Sequence, residues 1–176
     1  MRLGCRLNFS LYLNRIIKEC NYFNKGVRLL DETQVMIYFN LYGDKFPLEV
    51  VSEQLKVSPT KSFSKGDIIS KANESDSESR TRSYTSWELG TGYQESLDVG
   101  EMMEQVIVQI KDKSAIINEL KREFGLECRF TIVIKMNDGH TPAFHLDISV
   151  IDFANRIKAD FDIDLYVNPY IEESLC

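Results

Sequence analysis

The sequence has few cysteines, and their spacing suits neither disulfides nor zinc. Cys5, Cys20, Cys128 and Cys176 are spread along the 176 residues, and no two form a Cys-x-x-Cys pair. Scattered cysteines argue against a secreted disulfide framework and against a zinc site. The pattern favours a reducing, cytoplasmic location. Cys128 falls on the apolar face of a predicted strand, where we expect it to be a small buried residue.

Long apolar runs and an excess of basic residues are also lacking. No apolar run approaches the roughly 18 residues that a membrane-spanning helix needs. The chain has 27 acidic and 21 basic residues and a formal net charge of −6. Non-specific nucleic-acid binding needs a basic surface that releases counterions. We therefore expect no membrane and no nucleic acid as partners, whereas the acidity suits a basic partner protein.

Motifs for nucleophilic catalysis and phosphate binding are missing as well. There is no Gly-x-Ser-x-Gly motif, and neither of the two histidines stands near a nucleophile and an orienting partner. No glycine loop is spaced to cradle phosphates. These absences favour a protein without a cofactor and without catalysis. Enzymatic activity stays open, because catalytic triads assemble from distant segments.

Two parts of the chain differ in composition from the rest. Residues 1–30 form an amino-terminal extension that is either an amphipathic helix over Leu7–Cys20 or non-native upstream sequence, since Lys25-Gly26-Val27 is what a ribosome-binding site would encode. An intact-mass measurement on native protein separates these interpretations. Residues 31–176 are expected to form one domain. Within it, the serine-rich segment 68–83 predicts a polar, disordered loop.

Hydrophobic periodicity predicts the elements of that domain. Strict alternation indicates strands at 34–42, 84–89, 126–136 and 161–167, and a returning strand with Phe144, Leu146 and Ile148 after the Asn137-Asp138-Gly139 turn. Helical spacing indicates helices at 47–55, at 97–124 with a break near residues 111–114, and at 149–159 capped by Ser149. Trp87 and Leu89 are expected in the core, and Gly125 at a helix end.

Most predicted strands have one apolar and one polar face, which fits a sheet covered by helices on one side only. The order strand, long helix, hairpin, helix, strand is that of a ferredoxin-like unit. The sequence therefore predicts an α+β fold with a mixed or antiparallel sheet of about five strands and helices packed on one face. In the last strand we expect Phe161, Ile163, Leu165 and Val167 to point inward.

The same residues resemble an uncharacterised bacterial family, domain of unknown function 4279. The resemblance covers residues 35–166 and involves Tyr38-x-x-x-x-Gly43, Leu55-x-Val-x-Pro59-Thr60-Lys61, Gly66-Asp67, Trp87-x-Leu89 and Asp162-Ile-Asp-Leu-Tyr166. It implies a compact intracellular α+β domain with no agreed catalytic residue. Some similar small bacterial proteins act as immunity proteins against toxins.

The polar face of the predicted sheet is the leading candidate for binding. It would present two charge signs among tyrosines, which interfaces favour. Its residues are Tyr38, Tyr42, Arg129, Lys135, Asp162, Asp164 and Tyr166. The alternative is a solvated face held by cross-strand ion pairs.

Two weaker candidates lie in turns. An anion could bind the lysines and free amides of Thr60, Lys61, Lys65, Gly66 and Asp67, although Gly66 and Asp67 also suit an ordinary turn. A metal could bind His140, His145 and Asp147 together with Asp138, although hairpin tips are commonly polar because they are solvated. We expect no metal there.

From these patterns we expect a cytoplasmic, non-catalytic binding or interaction domain, with an immunity-type inhibitor of a basic toxin as its most specific form. The alternatives are a metal-dependent enzyme that uses Asp162 and Asp164 or the His140–His145 turn, and a small-molecule sensor that closes the 68–83 loop over its ligand. The aspartates of the last strand also have a structural interpretation, since charges on an edge strand oppose aggregation.

Overall fold

The computed structural model describes residues 32–70, 80–137 and 139–168. Four helices and eight strands lie in these ranges. The helices are α1 (Leu48–Leu55), α2 (Val99–Ile110), α3 (Ser114–Phe124) and α4 (Ile148–Ile157). The strands are β1 (Gln34–Gly43), β2 (Lys61–Phe63), β3 (Ile68–Ser70), β4 (Arg80–Thr81), β5 (Thr85–Gly90), β6 (Gln94–Glu95), β7 (Glu127–Met136) and β8 (Asp160–Val167).

Six of the strands form one mostly antiparallel sheet in an α+β arrangement. Its order is β2-β5-β1-β7-β8, and β6 pairs with the start of β1. β1 pairs antiparallel with both β5 and β7, whereas β7 and β8 are parallel and are joined through α4. A parallel pair needs such a crossover, because a tight turn can only reverse the chain.

One face of the sheet and the buried faces of all four helices make a single core. Alternation along β1 places Val35, Ile37, Phe39 and Leu41 on that face with no exposure, as the period of two predicts. Trp87 of β5 is fully buried there too, and its Nε1 donates a hydrogen bond of 2.9 Å to Ser52 Oγ on α1. The core positions predicted for Trp87 and Leu89 are therefore confirmed.

Local chemistry sets the helix ends. Asp98 caps α2 by accepting hydrogen bonds from the amides of Gly100 and Glu101. The predicted break in the long helix is confirmed, since α2 ends at Ile110 and α3 begins at Ser114. Gly125 follows α3 with φ of 65°, a conformation that glycine adopts without steric cost. Lys56 and Lys158 end α1 and α4 in the same left-handed region.

The prediction of a hairpin after β7 is wrong for the described part of the chain. Residues 139–147 contain no strand there, only an isolated bridge between Ala143 and Asp98. Asp147, not Ser149, caps α4, since its Oδ1 accepts the Ser149 amide at 2.8 Å. Three alternating apolar residues were too few to specify a strand beside a strong helix cap. The predicted α+β fold with a mostly antiparallel sheet is confirmed, with six strands, whereas the ferredoxin-like topology is not confirmed.

Strand β8 differs from its prediction in burial. Its apolar residues do lie on the helix side, because Ile163 and Leu165 pair with the core residues Ile132 and Ile134 of β7. Nevertheless Ile163, Leu165 and Val167 are 45%, 59% and 64% exposed, and only Phe161 is partly covered, by stacking on Phe130. Alternation predicts the direction of a side chain, but burial also needs an element to cover it.

The polar segment 68–83 is also more ordered at its ends than expected. Ile68–Ser70 and Arg80–Thr81 pair antiparallel as a small second sheet. Residues 71–79, which make up most of the predicted disordered loop, lie outside the described residues, as does the amino-terminal extension over residues 1–31. In the described ranges, no helix has the length and apolar character needed to cross a membrane.

Candidate functional site

The side of the sheet opposite the helices, called the outer face below, is built from cross-strand rows fixed by strand register. One row contains Phe63, Ser86, Tyr42 and Glu127, and the next contains Lys61, Glu88, Asn40, Arg129 and Asp160. Tyr38, Thr131 and Asp162 follow in a third row. Side chains in register on one face are near neighbours, so these rows bring together residues from five strands.

A cavity of about 460 Å³ opens on this face where β1 and β7 meet the adjacent loops. It is called the outer-face cavity below. Its lining combines two tyrosines with acidic, basic and amide groups and consists of Asn40, Tyr42, Gly43, Asp44, Tyr84, Gly125, Glu127 and Arg129.

A polar network spans the cavity. Tyr42 donates a hydrogen bond of 2.8 Å from its hydroxyl to Glu127 Oε2. Arg129 places one terminal nitrogen 3.2 Å from Asp162 Oδ2 and the other 3.4 Å from the Tyr42 hydroxyl. The guanidinium also lies 5.5 Å from the centre of the Tyr42 ring. Arg129 is thus paired within the molecule, which reduces its availability as an anion site.

The tyrosine at the centre of the network is a hydrogen-bond donor and not a base. Burial, followed by the hydrogen bond to Glu127, raises the pKa of Tyr42 to about 12, despite the opposing effect of Arg129. Tyr42 therefore keeps its proton at neutral pH. Burial likewise raises the pKa of Tyr38, which is partly covered in the third row. Neither hydroxyl is arranged to act as a nucleophile near pH 7.

The charges around the cavity do not balance. Asp44 forms an ion pair with Lys65, and that contact lowers the pKa of Asp44. Arg129 is paired with Asp162. Glu127 receives a hydrogen bond from the neutral Tyr42 but forms no ion pair with any described residue. Among the described residues, the cavity therefore retains the charge of Glu127 without an ion-pair partner.

Two buried polar atoms at the cavity lack partners among the described residues. They are Asn40 Oδ1, on a side chain that is only 9% exposed, and Arg129 Nε. Leaving a buried acceptor such as Asn40 Oδ1 unpaired costs about 1–3 kcal/mol. An added group that donates hydrogen bonds at the Asn40 side would recover part of that cost.

The other predicted outer-face residues lie beyond the cavity. Lys135 lies at the far end of β7, and its ammonium nitrogen is 3.6 Å from the centre of the Tyr93 ring. Asp164 and Tyr166 lie on β8, and Tyr166 is 55% exposed. The structure thus brings Tyr42, Arg129 and Asp162 together and places Lys135, Asp164 and Tyr166 apart from them.

The proposed anion turn uses its polar groups within the fold. Lys61 lies 3.5 Å from Glu88, and Lys65 pairs with Asp44. Thr60 Oγ1 accepts the Gly90 amide at 2.9 Å and donates to the Glu88 carbonyl. Asp67 accepts the Ser64 amide, and Gly66 has φ of 96°. These contacts match the ordinary turn, and anion binding there stays a prediction.

The proposed metal ligands do not come together in the described ranges, where no three His, Cys, Asp or Glu side chains are close enough to hold an ion. Asp138 lies outside the described residues. His145 and Asp147 were expected on a strand, but they lie in an irregular segment where Asp147 caps α4. Asp162 and Asp164, which the alternative enzyme would need, likewise belong to no such group of three among the described residues.

Of the eight residues that line the cavity, the sequence predicted only Tyr42 and Arg129 as site residues. Asn40 and Glu127 alternate correctly with the outer-face residues and could have been included from strand periodicity. Tyr84 and Asp44 lie outside the strands, so their approach to Tyr42 depends on the packing of separate loops. The Tyr84 and Tyr42 rings meet edge to face with centres 6.0 Å apart, and no local pattern signals that contact.

These features define a class of protein: an α+β domain whose sheet is covered by helices on one side and bears a polar cavity on the other. A family model described as "Domain of unknown function (DUF4279)" matches residues 33–168, which is more than half of the chain. The chain therefore belongs to the DUF4279 family, as the resemblance implied. No curated protein and no solved structure matches the chain.

Proposed function

We propose that this protein is a non-catalytic, cytoplasmic binding domain that recognises a basic partner protein through its outer face. The observation that supports the proposal most directly is the outer-face cavity with Glu127, which forms no ion pair with a described residue. A cation is favoured where a carboxylate and aromatic faces meet, through ion pairing and cation–π attraction. Glu127 supplies the carboxylate, and Tyr42 and Tyr84 supply the rings.

A partner arginine suits this cavity better than a lysine. A guanidinium is planar and has five N–H donors, so it can pair with Glu127 while it faces a tyrosine ring. A further donor could approach the Asn40 amide at the cavity wall, where Oδ1 has no partner among the described residues. Interfaces commonly bind such an anchor in a pocket and surround it with weaker contacts.

The specific form of this function is inhibition of the immunity type. An acidic domain that covers a basic surface of a toxin would block it sterically, and opposite charges would speed their association. The net charge of −6 supports this form. It predicts that the partner is basic and that its association slows as salt is added.

The binding of N-acetyl-arginine methylamide to the full-length chain, followed by NMR, tests the cavity. We expect saturable shifts at Tyr42, Tyr84 and Glu127, and none with the neutral citrulline analogue. Glu127→Gln should weaken binding by about tenfold, equal to the loss of roughly 1.4 kcal/mol. The matched control is Glu123→Gln on α3, which is also exposed. Equal shifts with arginine and citrulline would contradict the proposal.

A second experiment tests the partner. Tagged wild-type chain and the Glu127→Lys variant are each used to capture proteins from the native cells, and the captured proteins are identified by mass spectrometry. We expect a basic protein that the wild type retains and the variant loses, and whose toxicity the wild type suppresses. A partner retained equally by Glu127→Lys would show that the cavity is not the recognition site.

A further inference from the structure

Strand β8 is an unusually open edge of the sheet. The opposite edge, β2, has only 3 residues, which is a common way to protect a sheet from pairing with other chains. β8 has 8 residues and pairs with β7 on one side, and no other described strand pairs with it. Backbone groups alternate in direction along a strand, so half of the amides and carbonyls of β8 point away from β7.

The helix side of β8 is apolar and open. Ile163, Leu165 and Val167 are all at least 45% exposed, although their register partners on β7 belong to the core or pack against it. The apolar layer thus stops one strand before the sheet does. A further strand beside β8 could extend this layer with its own apolar residues.

The outer side of β8 is acidic. Asp160, Asp162 and Asp164 recur at every second residue. Asp162 is paired with Arg129, whereas Asp160 and Asp164 form no ion pair with any described lysine or arginine. Opposite charges directly across two strands stabilise the pair, and like charges destabilise it. An incoming strand would therefore need basic residues on this side.

The aspartates also disfavour a second copy of this chain. In a two-fold antiparallel pairing of β8 with itself, the registers that pair the most residues are centred on Ile163 and on Asp164. The first places Asp162 opposite Asp164, and the second places Asp164 opposite itself. Both set like charges against each other across the new interface.

We infer that β8 is a docking edge for an extended segment of another protein, in which lysine or arginine alternates with branched apolar residues. The segment adds a strand to the sheet. Its main chain pairs with the free edge of β8, its apolar residues continue the layer of Ile163 and Leu165, and its basic residues face Asp160 and Asp164. This surface is separate from the outer-face cavity, so it does not depend on the function proposed above.

A synthetic peptide of alternating lysine and valine, as long as β8, tests the inference on the full-length chain. The control peptide has the same composition with its lysines grouped at one end. We expect the alternating peptide to bind at least about tenfold more tightly. Alternate β8 amides should also become protected from hydrogen exchange when it binds.

Matched variants locate the binding. Leu165→Thr and Asp164→Asn should each weaken binding of the alternating peptide severalfold. Ile148→Thr and Asp152→Asn make comparable changes, from a branched apolar residue to threonine and from aspartate to asparagine, at exposed positions of α4 and should have no effect. Unfolding midpoints check that every variant is folded.

Three results would overturn the inference. The first is protection of all β8 amides in the free monomer, which would mean that the chain covers its own edge. The second is a concentration-dependent dimer that protects β8, which would make a second copy the occupant. The third is equal binding of both peptides, or equal binding by the β8 and α4 variants, which would show only general attraction between opposite charges.

Discussion

Arg129 connects the two parts of the outer face. Its guanidinium bonds Asp162 on β8 and the Tyr42 hydroxyl on β1, and Tyr42 in turn bonds Glu127. Asp162 and the Tyr42 ring hold Arg129 in place. Glu127 is therefore left with the neutral Tyr42 hydroxyl as its partner. The network therefore fixes the position of a carboxylate without neutralising its charge, which is what a site for a basic group requires.

The pKa of Tyr42 leads to a prediction at high pH. An unfolded tyrosine ionises near its ordinary pKa of 10, whereas folded Tyr42 ionises at about 12. Its contribution to stability is complete below pH 10 and is lost as pH rises from 10 to 12. The unfolding free energy of Tyr42→Phe should therefore fall less than that of wild type between pH 10 and pH 12. The difference should be at most about 1 kcal/mol, because the Tyr42 ring is partly solvated and solvent screens the interaction.

Urea unfolding followed by circular dichroism at several pH values measures this difference. The control is Tyr166→Phe, because Tyr166 is 55% exposed on β8. If the two phenylalanine variants lose stability equally with pH, the Tyr42–Glu127 hydrogen bond does not contribute as described.

At the residue scale, the sequence predicted the sheet face on which a side chain lies better than it predicted the residues which that side chain contacts. Alternation placed Tyr42, Arg129 and Asp162 on one face, as the structure shows. It could not pair them, because the contacts of Arg129 with Tyr42 and Asp162 span 87 and 33 residues of sequence. Register across such separations depends on the whole sheet and not on local composition.

The helix ends show how single positions determine an element. α1 and α4 both end at lysines with φ of 52° and 54°, whereas α3 ends at Gly125 with φ of 65°. An L residue in this region has its Cβ close to the following carbonyl, and glycine avoids that cost. Two of the three ends are thus occupied by a residue that is not optimal for them.

We predict opposite effects from exchanging these residues. Lys56→Gly should raise the unfolding free energy by about 1 kcal/mol, and Gly125→Ala should lower it by a similar amount. A Cβ at Gly125 would meet no atom within 4 Å, so its effect would be conformational and not steric. Lys45→Gly is the control, since Lys45 is exposed and does not have a positive φ.

Thermal unfolding of the three variants checks the prediction. A gain in Lys45→Gly as large as that in Lys56→Gly would attribute the effect to loss of charge.

At the element scale, the sequence predicted Gly125 as a helix end from its composition. It did not indicate Lys56 or Lys158, because lysine has no preference for the left-handed region, and the strand expected near Phe144 was displaced by the Asp147 cap.

At the scale of the whole molecule, the sheet has a protected centre and two different edges. β1 and β7 pair over nine consecutive positions and supply much of the core. β2 and β8 each have one neighbouring strand among the described residues. The one-sided covering of the sheet was predictable from alternation. The exposure of β8 was not, because it depends on which elements pack over that end of the sheet.

Hydrogen exchange should follow this arrangement. We expect the amides of β1 and β7 to exchange most slowly, at rates that approach global unfolding, and those of β2 and β8 to exchange faster through local opening. Exchange measured by NMR on the free full-length chain tests this gradient. Protection of β8 equal to that of β1 would contradict both this prediction and the open edge described above.

The pairing of β1 with β7 also has a consequence for biosynthesis. β1 ends at Gly43, whereas β7 begins at Glu127, so the ribosome must produce more than 80 residues before the centre of the sheet can close. Contacts between such distant segments make folding slow. During translation, β1 has only β5 and β6 as partners, and its apolar face lacks α3 and α4. The apolar face of β1 therefore stays incompletely covered until β7 and α4 have emerged, which exposes the nascent chain to aggregation during synthesis.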